Sequence, residues 1–386
     1  MKKYLVILFM LLCISAQGRD WVSQSNEALR SDMLTFAEGF AQREKGTPAG
    51  RILRSFVKKQ KRYGDKDSLA WISDTKDVVL KLEKICPPVV DDGSHAAQTR
   101  RDMFLLLDYP LHADNRAPGA SQALKTEFDR MSDSYRAQAR EKVLKFLETQ
   151  APAKPGELQI VKVYNCGIIL RDSERTIAID IKWEGDSEGA EAIASKADVF
   201  YLSHPHHDHY NDVMMEALAD EGVMTVLSED VAPTRQWDGK MLIHEDVYEP
   251  VMVNGIKTVI QKGYQKKAPN NLYYLEFDGW KVLLPGESHN FEKLSSLSSL
   301  EAPDLILVPS WNRMDLVFEA VSKMKGFDRT KVICIPEHEN EFTHTVDHRE
   351  SFRELFSRKD RLGGDDDAVR PEILLLEIGE NATLKK

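Results

Sequence analysis

The chain has 386 residues, 42% of them hydrophobic and 30% charged, which is the composition of a globular protein with room for two domains or for one large domain and an extension. Its 52 basic and 62 acidic residues leave a net charge of −10, which argues against a nucleic-acid surface that works by counterion release. The basic cluster Lys58-Lys59-Gln60-Lys61-Arg62 is read as a solvated helix face.

The first residues carry the pattern of a processing signal. Lys2 and Lys3 precede an apolar run from Tyr4 to Ile14, and Ser15-Ala16-Gln17-Gly18 offers a small-residue cleavage site. The run is short for a transmembrane helix. A signal peptide over residues 1–18 and an exported protein (periplasmic or extracellular), with no stable membrane insertion after cleavage, are the expectation. An uncleaved N-terminal anchor is the alternative. Cleavage would leave Cys86, Cys166 and Cys334, an odd number with no Cys-x-x-Cys spacing. Cys166 and Cys334 lie in apolar, strand-like runs as small hydrophobes, so metal binding through thiolate is not expected.

Residues 19–152 read as an α-helical N-terminal domain. Between Ser132 and Gln150, the residues Tyr135, Ala139, Val143, Phe146 and Leu147 recur at three- and four-residue spacing, with Arg136, Arg140, Glu141 and Lys145 on the other face. Another helix is expected from Arg100 to Leu107, ending before Tyr109-Pro110. The polar knot Asp108-Tyr-Pro-Leu-His112-Ala-Asp114-Asn115 follows it, as a satisfied turn or as a cap on an active-site mouth. The stretch Ala151-Pro-Ala-Lys-Pro-Gly156 cannot continue a helix and is read as a linker.

Beyond the linker, residues 157–386 change texture. Strands are expected at residues 158–163, 167–170, 175–181, 223–227, 257–260, 272–277, 281–284, 305–309, 332–336 and 372–378. Helices are expected at 212–221, 314–324 and 348–357. Many strands with a few interleaved helices indicate a layered α/β sandwich. Into it falls the segment Tyr201-Leu-Ser-His204-Pro-His206-His-Asp208-His209, directly after the apolar run that starts at Val199. Three imidazoles and a carboxylate crowded into one tight loop repel and desolvate one another, and a shared cation relieves both.

This His-x-His-x-Asp-His loop, between a strand and a helix, resembles the signature of the metallo-β-lactamase fold superfamily. The resemblance covers roughly residues 157–380. Ala178-Ile-Asp180 is similar to the opening strands, whose last Asp lines the site. Gly279-Trp-Lys-Val-Leu-Leu-Pro-Gly286-Glu287 is similar to the strand ending in Gly-Asp, and Asp304-Leu-Ile-Leu-Val-Pro309 to the strand that follows it. Ile333-Cys-Ile-Pro336-Glu-His338 is similar to the last ligand histidine, placed after a strand. Within the superfamily the order looks nearest to the group of L-ascorbate-6-phosphate lactonase and N-acyl-phosphatidylethanolamine phospholipase D.

The resemblance implies an αββα sandwich with a two-metal centre at its edge. His204 and His206 would hold one metal, and Asp208, His209 and His338 the other, with Glu287 in the place of the bridging carboxylate. Zinc (Zn2+), one or two ions, suits these ligands, with manganese (Mn2+) or iron (Fe2+) as alternatives. It further implies a hydrolase acting on a small-molecule ester, lactone or phosphodiester through metal-bound hydroxide, with Asp208 and Glu287 as the catalytic carboxylates. His289, Asp180 and His344 are additional candidates for the site. His207 alternates away from the ligand set.

The sequence departs from the family pattern twice. The stretch Val259-Ile-Gln-Lys-Gly-Tyr-Gln-Lys-Lys267 holds no histidine where the first metal usually finds one; His244 comes too early, and Tyr264 could stand in as a hydrogen-bond donor. Glu287 replaces an Asp. A single-metal or non-catalytic ligand-binding protein is therefore the alternative reading, and a membrane-anchored lipid-acting enzyme is a third.

Overall fold

The computed structural model describes residues 26–63, 69–113, 122–227, 241–243, 250–265, 268–287, 299–308, 314–327, 351–361 and 372–386. The proposed signal segment, Cys334, His244, His289, His338, His344 and the strand expected at 332–336 lie outside the described residues.

The N-terminal part is helical, as expected: α1 (Asn26–Arg43), α2 (Pro48–Gln60), α3 (Ala70–Glu83), α4 (His95–Leu111) and α5 (Gln122–Thr149). Local chemistry sets several of the starts. Thr47 accepts the N–H of Gly50 at 3.1 Å and Pro48 takes the first turn of α2. Ser94 caps α4 through the N–H of Ala97 at 3.2 Å. The expected stop before Tyr109-Pro110 does not occur, and α4 runs on to Leu111. So near a helix end, proline removes a single ladder bond. The turn closes beyond it, with His112 donating its N–H to the Asp108 carbonyl at 3.0 Å.

The rest of the chain builds two sheets. The order is β1 (Glu157–Lys162), β2 (Ile168–Arg171), β3 (Thr176–Ile179), α6 (Ser187–Ala194), β4 (Val199–Tyr201), α7 (Asp212–Asp220), β5 (Met224–Leu227), β6 (Met241–Ile243), β7 (Val251–Val253), β8 (Ile256–Gln265), β9 (Ala268–Phe277), β10 (Trp280–Leu284), β11 (Leu305–Ile306), α8 (Met314–Ser322), α9 (Phe352–Arg361) and β12 (Asn381–Lys385). Among the described residues one sheet has the order β12-β1-β2-β3-β4-β5-β6, with β3 to β6 parallel. The other has the order β11-β10-β9-β8-β7. The strands expected at 257–260 and 272–277 form one long hairpin, β8 on β9, paired from Lys257↔Glu276 to Gln265↔Ala268.

Period-two alternation sorts the side chains into layers. Leu158, Ile160, Ile177, Ile179, Val199 and Tyr201 of the first sheet meet Tyr273, Leu275, Phe277, Val282 and Leu284 of the second in a shared inner core. Val161, Ile169, Ala178 and Phe200 face outward onto α6, α7 and the end of α5. On the far side Val259, Leu272, Tyr274 and Leu283 pack with α8 and α9, and with α1 to α4. The result is the expected αββα sandwich, whose outer helical layer includes the N-terminal helices. Residues 372–378, expected as a strand, form only an isolated bridge, Leu374 to Val90. Their alternation serves two cores instead: Ile373 and Leu375 turn to the outer helical layer, Leu374 and Leu376 to the inner one.

Buried polar contacts tie the N-terminal helices to this C-terminal segment. Arg100, 3% exposed, pairs with Glu380 and donates to the carbonyls of Cys86 at 3.0 Å and Leu375 at 2.9 Å. Tyr135 donates to Glu377. Asp108, expected only as part of a polar knot, accepts the N–H groups of Phe352 at 2.8 Å and Arg353 at 3.0 Å, which caps α9. His112 is a buried turn residue whose Nδ1 lies 2.8 Å from the Asp108 carbonyl.

Candidate metal centre

Four chain segments reach one end of the sandwich: the turn Asn165–Gly167 after β1, Asp180 after β3, residues 203–209 after β4, and Gly286-Glu287 after β10. Strand ends in an α/β sheet are where side chains converge without disturbing the ladders. The 203–209 loop is held firmly. Leu202 donates to the Val226 carbonyl at 3.1 Å, Asn271 donates to the Ser203 carbonyl at 2.7 Å, and His209 donates to the His206 carbonyl at 3.0 Å. Asn211 then caps α7 on the N–H of Met214 at 3.1 Å and donates its amide to the Trp183 carbonyl at 2.6 Å.

Among the described residues two trios of donor atoms result, both including Glu287: His204 with His206, and Cys166 with His209. His204 and His209 are fully buried and Glu287 is 2% exposed. His204 Nε2 lies 3.0 Å from His206 Nδ1 and 3.2 Å from Glu287 Oε2. His209 Nε2 lies 3.1 Å from Glu287 Oε1. Behind them stand supporting groups. His204 Nδ1 is 3.0 Å from Ser203 Oγ, and His209 Nδ1 is 3.1 Å from Asp180 Oδ2. Asp180 also accepts the Ser203 N–H at 2.7 Å and its hydroxyl at 2.6 Å. Such partners fix the ring orientation and leave the opposite nitrogen facing the cluster.

The donor set fits a metal ion. Zinc bonds of about 2.0–2.2 Å to nitrogen and oxygen at tetrahedral angles place neighbouring ligand atoms about 3.4 Å apart. The observed 3.0, 3.1 and 3.2 Å lie close to that value. The electrostatics agree. Burial works against a charge on Glu287, yet hydrogen bonds from His204 and His209 draw its carboxyl down to about 2. Burial likewise opposes a charged His209, but Asp180 and Glu287 outweigh it and hold the imidazole well above its ordinary pKa. His206 is pushed down, first by burial and then by His204. The buried carboxylates around His209 thus favour positive charge at the cluster.

Of the residues singled out from sequence, the fold brings His204, His206, His209 and Glu287 together. Asp180 stands behind His209 and Ser203. Asp208 is at the rim: its side chain is 26% exposed, Asn165 Nδ2 donates to its Oδ2 at 3.1 Å, and that oxygen is 3.9 Å from His209 Nε2. His207 is exposed. Tyr264 lies opposite Pro269 near the end of β8. Cys166 sits in the β1–β2 turn rather than in a strand, with Sγ 3.8 Å from Glu287 Oε1. The overlooked signal was Asn165-Cys-Gly167, a turn sequence between two apolar runs, with Asn165 at φ 51°. Ser203 and Asn165 were also missed, because small polar residues next to a motif carry no spacing of their own.

No family model matches the sequence and no curated protein matches it. Solved structures do match. Igni18, a metallo hydrolase from the archaeon Ignicoccus hospitalis, is 16% identical with a TM-score of 0.46, over 60% of this chain and 99% of that one. YhfI, a metallo-β-lactamase fold protein from Bacillus subtilis, is 12% identical with a TM-score of 0.42, over 59% and 100%. An isothiocyanate hydrolase from Delia radicum gut bacteria is 13% identical with a TM-score of 0.44, over 59% and 99%. Layer order, mixed sheet and a histidine-rich loop leaving β4 towards α7 together give this chain the αββα architecture that its sequence resemblance implies.

Proposed function

We propose that this chain is an exported metal-dependent hydrolase acting on an ester, lactone or phosphodiester. The observation that carries the reading is the convergence of His204, His206, His209 and Glu287 at metal-ligand spacing in a buried pocket, with Asp180 and Ser203 orienting two of the rings. His204, His206 and Glu287 would hold one ion; His209 and Glu287, with Asp208 and His338, a second. Bound there, the metal would polarise the substrate oxygen and lower the pKa of a water to near neutrality. Asp208, half-buried at the rim and oriented by Asn165, would serve both as a ligand and to position that water. Glu287 spans both trios and lowers the net charge of the pair. Export is read from the Lys2 to Gly18 pattern.

The test is metal analysis of the purified mature protein, together with a panel of esters, lactones and phosphodiesters assayed with and without chelator. Two metals per chain and chelator-sensitive turnover, both reduced in His206→Ala, are expected. One tightly held metal and no turnover across the panel would favour the ligand-binding reading, which the absence of histidine along β8 supports. N-terminal sequencing of the exported form decides signal cleavage against a retained anchor.

A further inference from the structure

We propose that Cys166 is a metal ligand, closing a Cys-His-Glu site with His209 and Glu287. The inference rests on the reading of this pocket as a metal centre. Sγ of Cys166, Nε2 of His209 and Oε1 of Glu287 are within 4.8 Å of one another, and with the buried Lys162 they line a cavity of about 30 Å³, enough for a water-sized guest. With a zinc–sulfur bond of about 2.3 Å and zinc–oxygen and zinc–nitrogen bonds of about 2.0–2.2 Å, a tetrahedral shell sets S···O at about 3.6 Å and N···O at about 3.4 Å. The protein shows 3.8 Å and 3.1 Å.

The backbone delivers the thiol there by construction. Asn165 takes a left-handed φ of 51°, and Gly167 donates to the Tyr164 carbonyl at 2.6 Å. A Cβ at position 167 would sit 2.7 Å from that carbonyl and 3.0 Å from the Asp180 carbonyl, so the turn is pressed against the segment that carries Asp180. Cys166 forms no disulfide. Glu287 then bridges: Oε1 faces Cys166 and His209, and Oε2 faces His204. A thiolate in the shell favours zinc or iron over manganese.

Cobalt reports this directly, because a thiolate bound to Co2+ gives a near-ultraviolet charge-transfer band that imidazole and carboxylate ligands do not. The full chain, stripped of metal, is titrated with Co2+, and iodoacetamide labelling of each cysteine is followed by peptide mass spectrometry with and without the ion. The band should appear in the wild type, in Cys86→Ser and in Cys334→Ser, and be lost in Cys166→Ser and Cys166→Ala with at least a tenfold weaker affinity. Labelling of Cys166 should slow at least tenfold on loading. Cobalt bound without a band, or Cys166 labelled equally fast in both forms, overturns the proposal and leaves the metal-centre reading standing. No cobalt bound by the wild type overturns both. Should neither Cys166 variant fold, as judged by circular dichroism, protection in the wild type decides.

Discussion

Replacing Asp180 with asparagine changes one oxygen to an amide and leaves almost everything else in place. Asp180 sits at φ 47°, a conformation asparagine tolerates and alanine resists, so the backbone need not move. Its Oδ1 accepts the Ser203 N–H, while Oδ2 faces the Ser203 hydroxyl and His209 Nδ1. In Asp180→Asn the oxygen stays on the Ser203 N–H, since the amide nitrogen cannot accept there. The NH2 then donates towards His209 Nδ1, which must give up its proton. A neutral ring answers by carrying hydrogen on Nε2, the atom that faces Glu287 and the cluster, and the lone pair a metal needs is lost. Second-shell losses of this kind cost 10- to 100-fold in metal affinity, about 1.4–2.7 kcal/mol. Competition against a chromophoric chelator at pH 8 measures this, and a thermal melt of the metal-free form shows whether the variant is folded. A folded Asp180→Asn with wild-type affinity would refute the assignment of Asp180 as the group that fixes the His209 tautomer.

Metal uptake must also displace the proton that Asp180 and Glu287 hold on His209, whose raised pKa favours the cation. Affinity should therefore rise with pH below that raised pKa, and an affinity that falls as pH is raised, by titration calorimetry, would contradict the reading. Gly286 has φ 56°, and a Cβ there would fall 2.3 Å from Asn270 Oδ1; Gly286→Ala should cost about 2–5 kcal/mol in urea unfolding, a loss under 1 kcal/mol counting against the packing. Arg100→Ala strands Glu380 in the interior and should destabilise by about 3–5 kcal/mol, whereas a melt unchanged from wild type would show the pair to be incidental. His207→Ala, at an exposed position, should keep full metal content and lie within about 0.5 kcal/mol of the wild type.

Much of this arrangement was legible in the chain because it depends on local pattern. The strand alternation, the linker before Glu157 and the His204 to His209 loop each carry their own period or spacing, and the structure forms strands and loops at those places. What escaped detection depends on contacts between distant segments. An amphipathic face shows that a helix packs, not on what, so nothing in residues 26–111 announced a core shared with the outer face of the second sheet. The segment 372–378 alternates like a strand because two cores flank it. Cys166 looked apolar from its neighbours, and only the β1–β2 turn turns it towards Glu287. The short helix α6 was missed because its eight residues hold too few apolar positions to show a period, although Asp186 caps it on the N–H of Gly189 at 2.9 Å.

The glutamate at 287 gains a physical rationale from the same geometry. An aspartate, the residue the family resemblance leads one to expect, would end one carbon–carbon bond short, about 1.5 Å back along the side chain. From the observed 3.1 and 3.2 Å, such a retreat would take the carboxylate out of reach of at least one of His209 and His204 unless the backbone followed. The backbone has little freedom to follow: Gly286 is wedged against Asn270 and the Asn271 carbonyl, and Asn271 in turn donates to Ser203 beside the ligand loop. The tight glycine turn limits movement of the backbone at 287, and the extra methylene of glutamate lets the carboxylate reach both rings from there. The constraint at position 286 and the reach of the side chain at position 287 therefore act together to hold the carboxylate between His204 and His209.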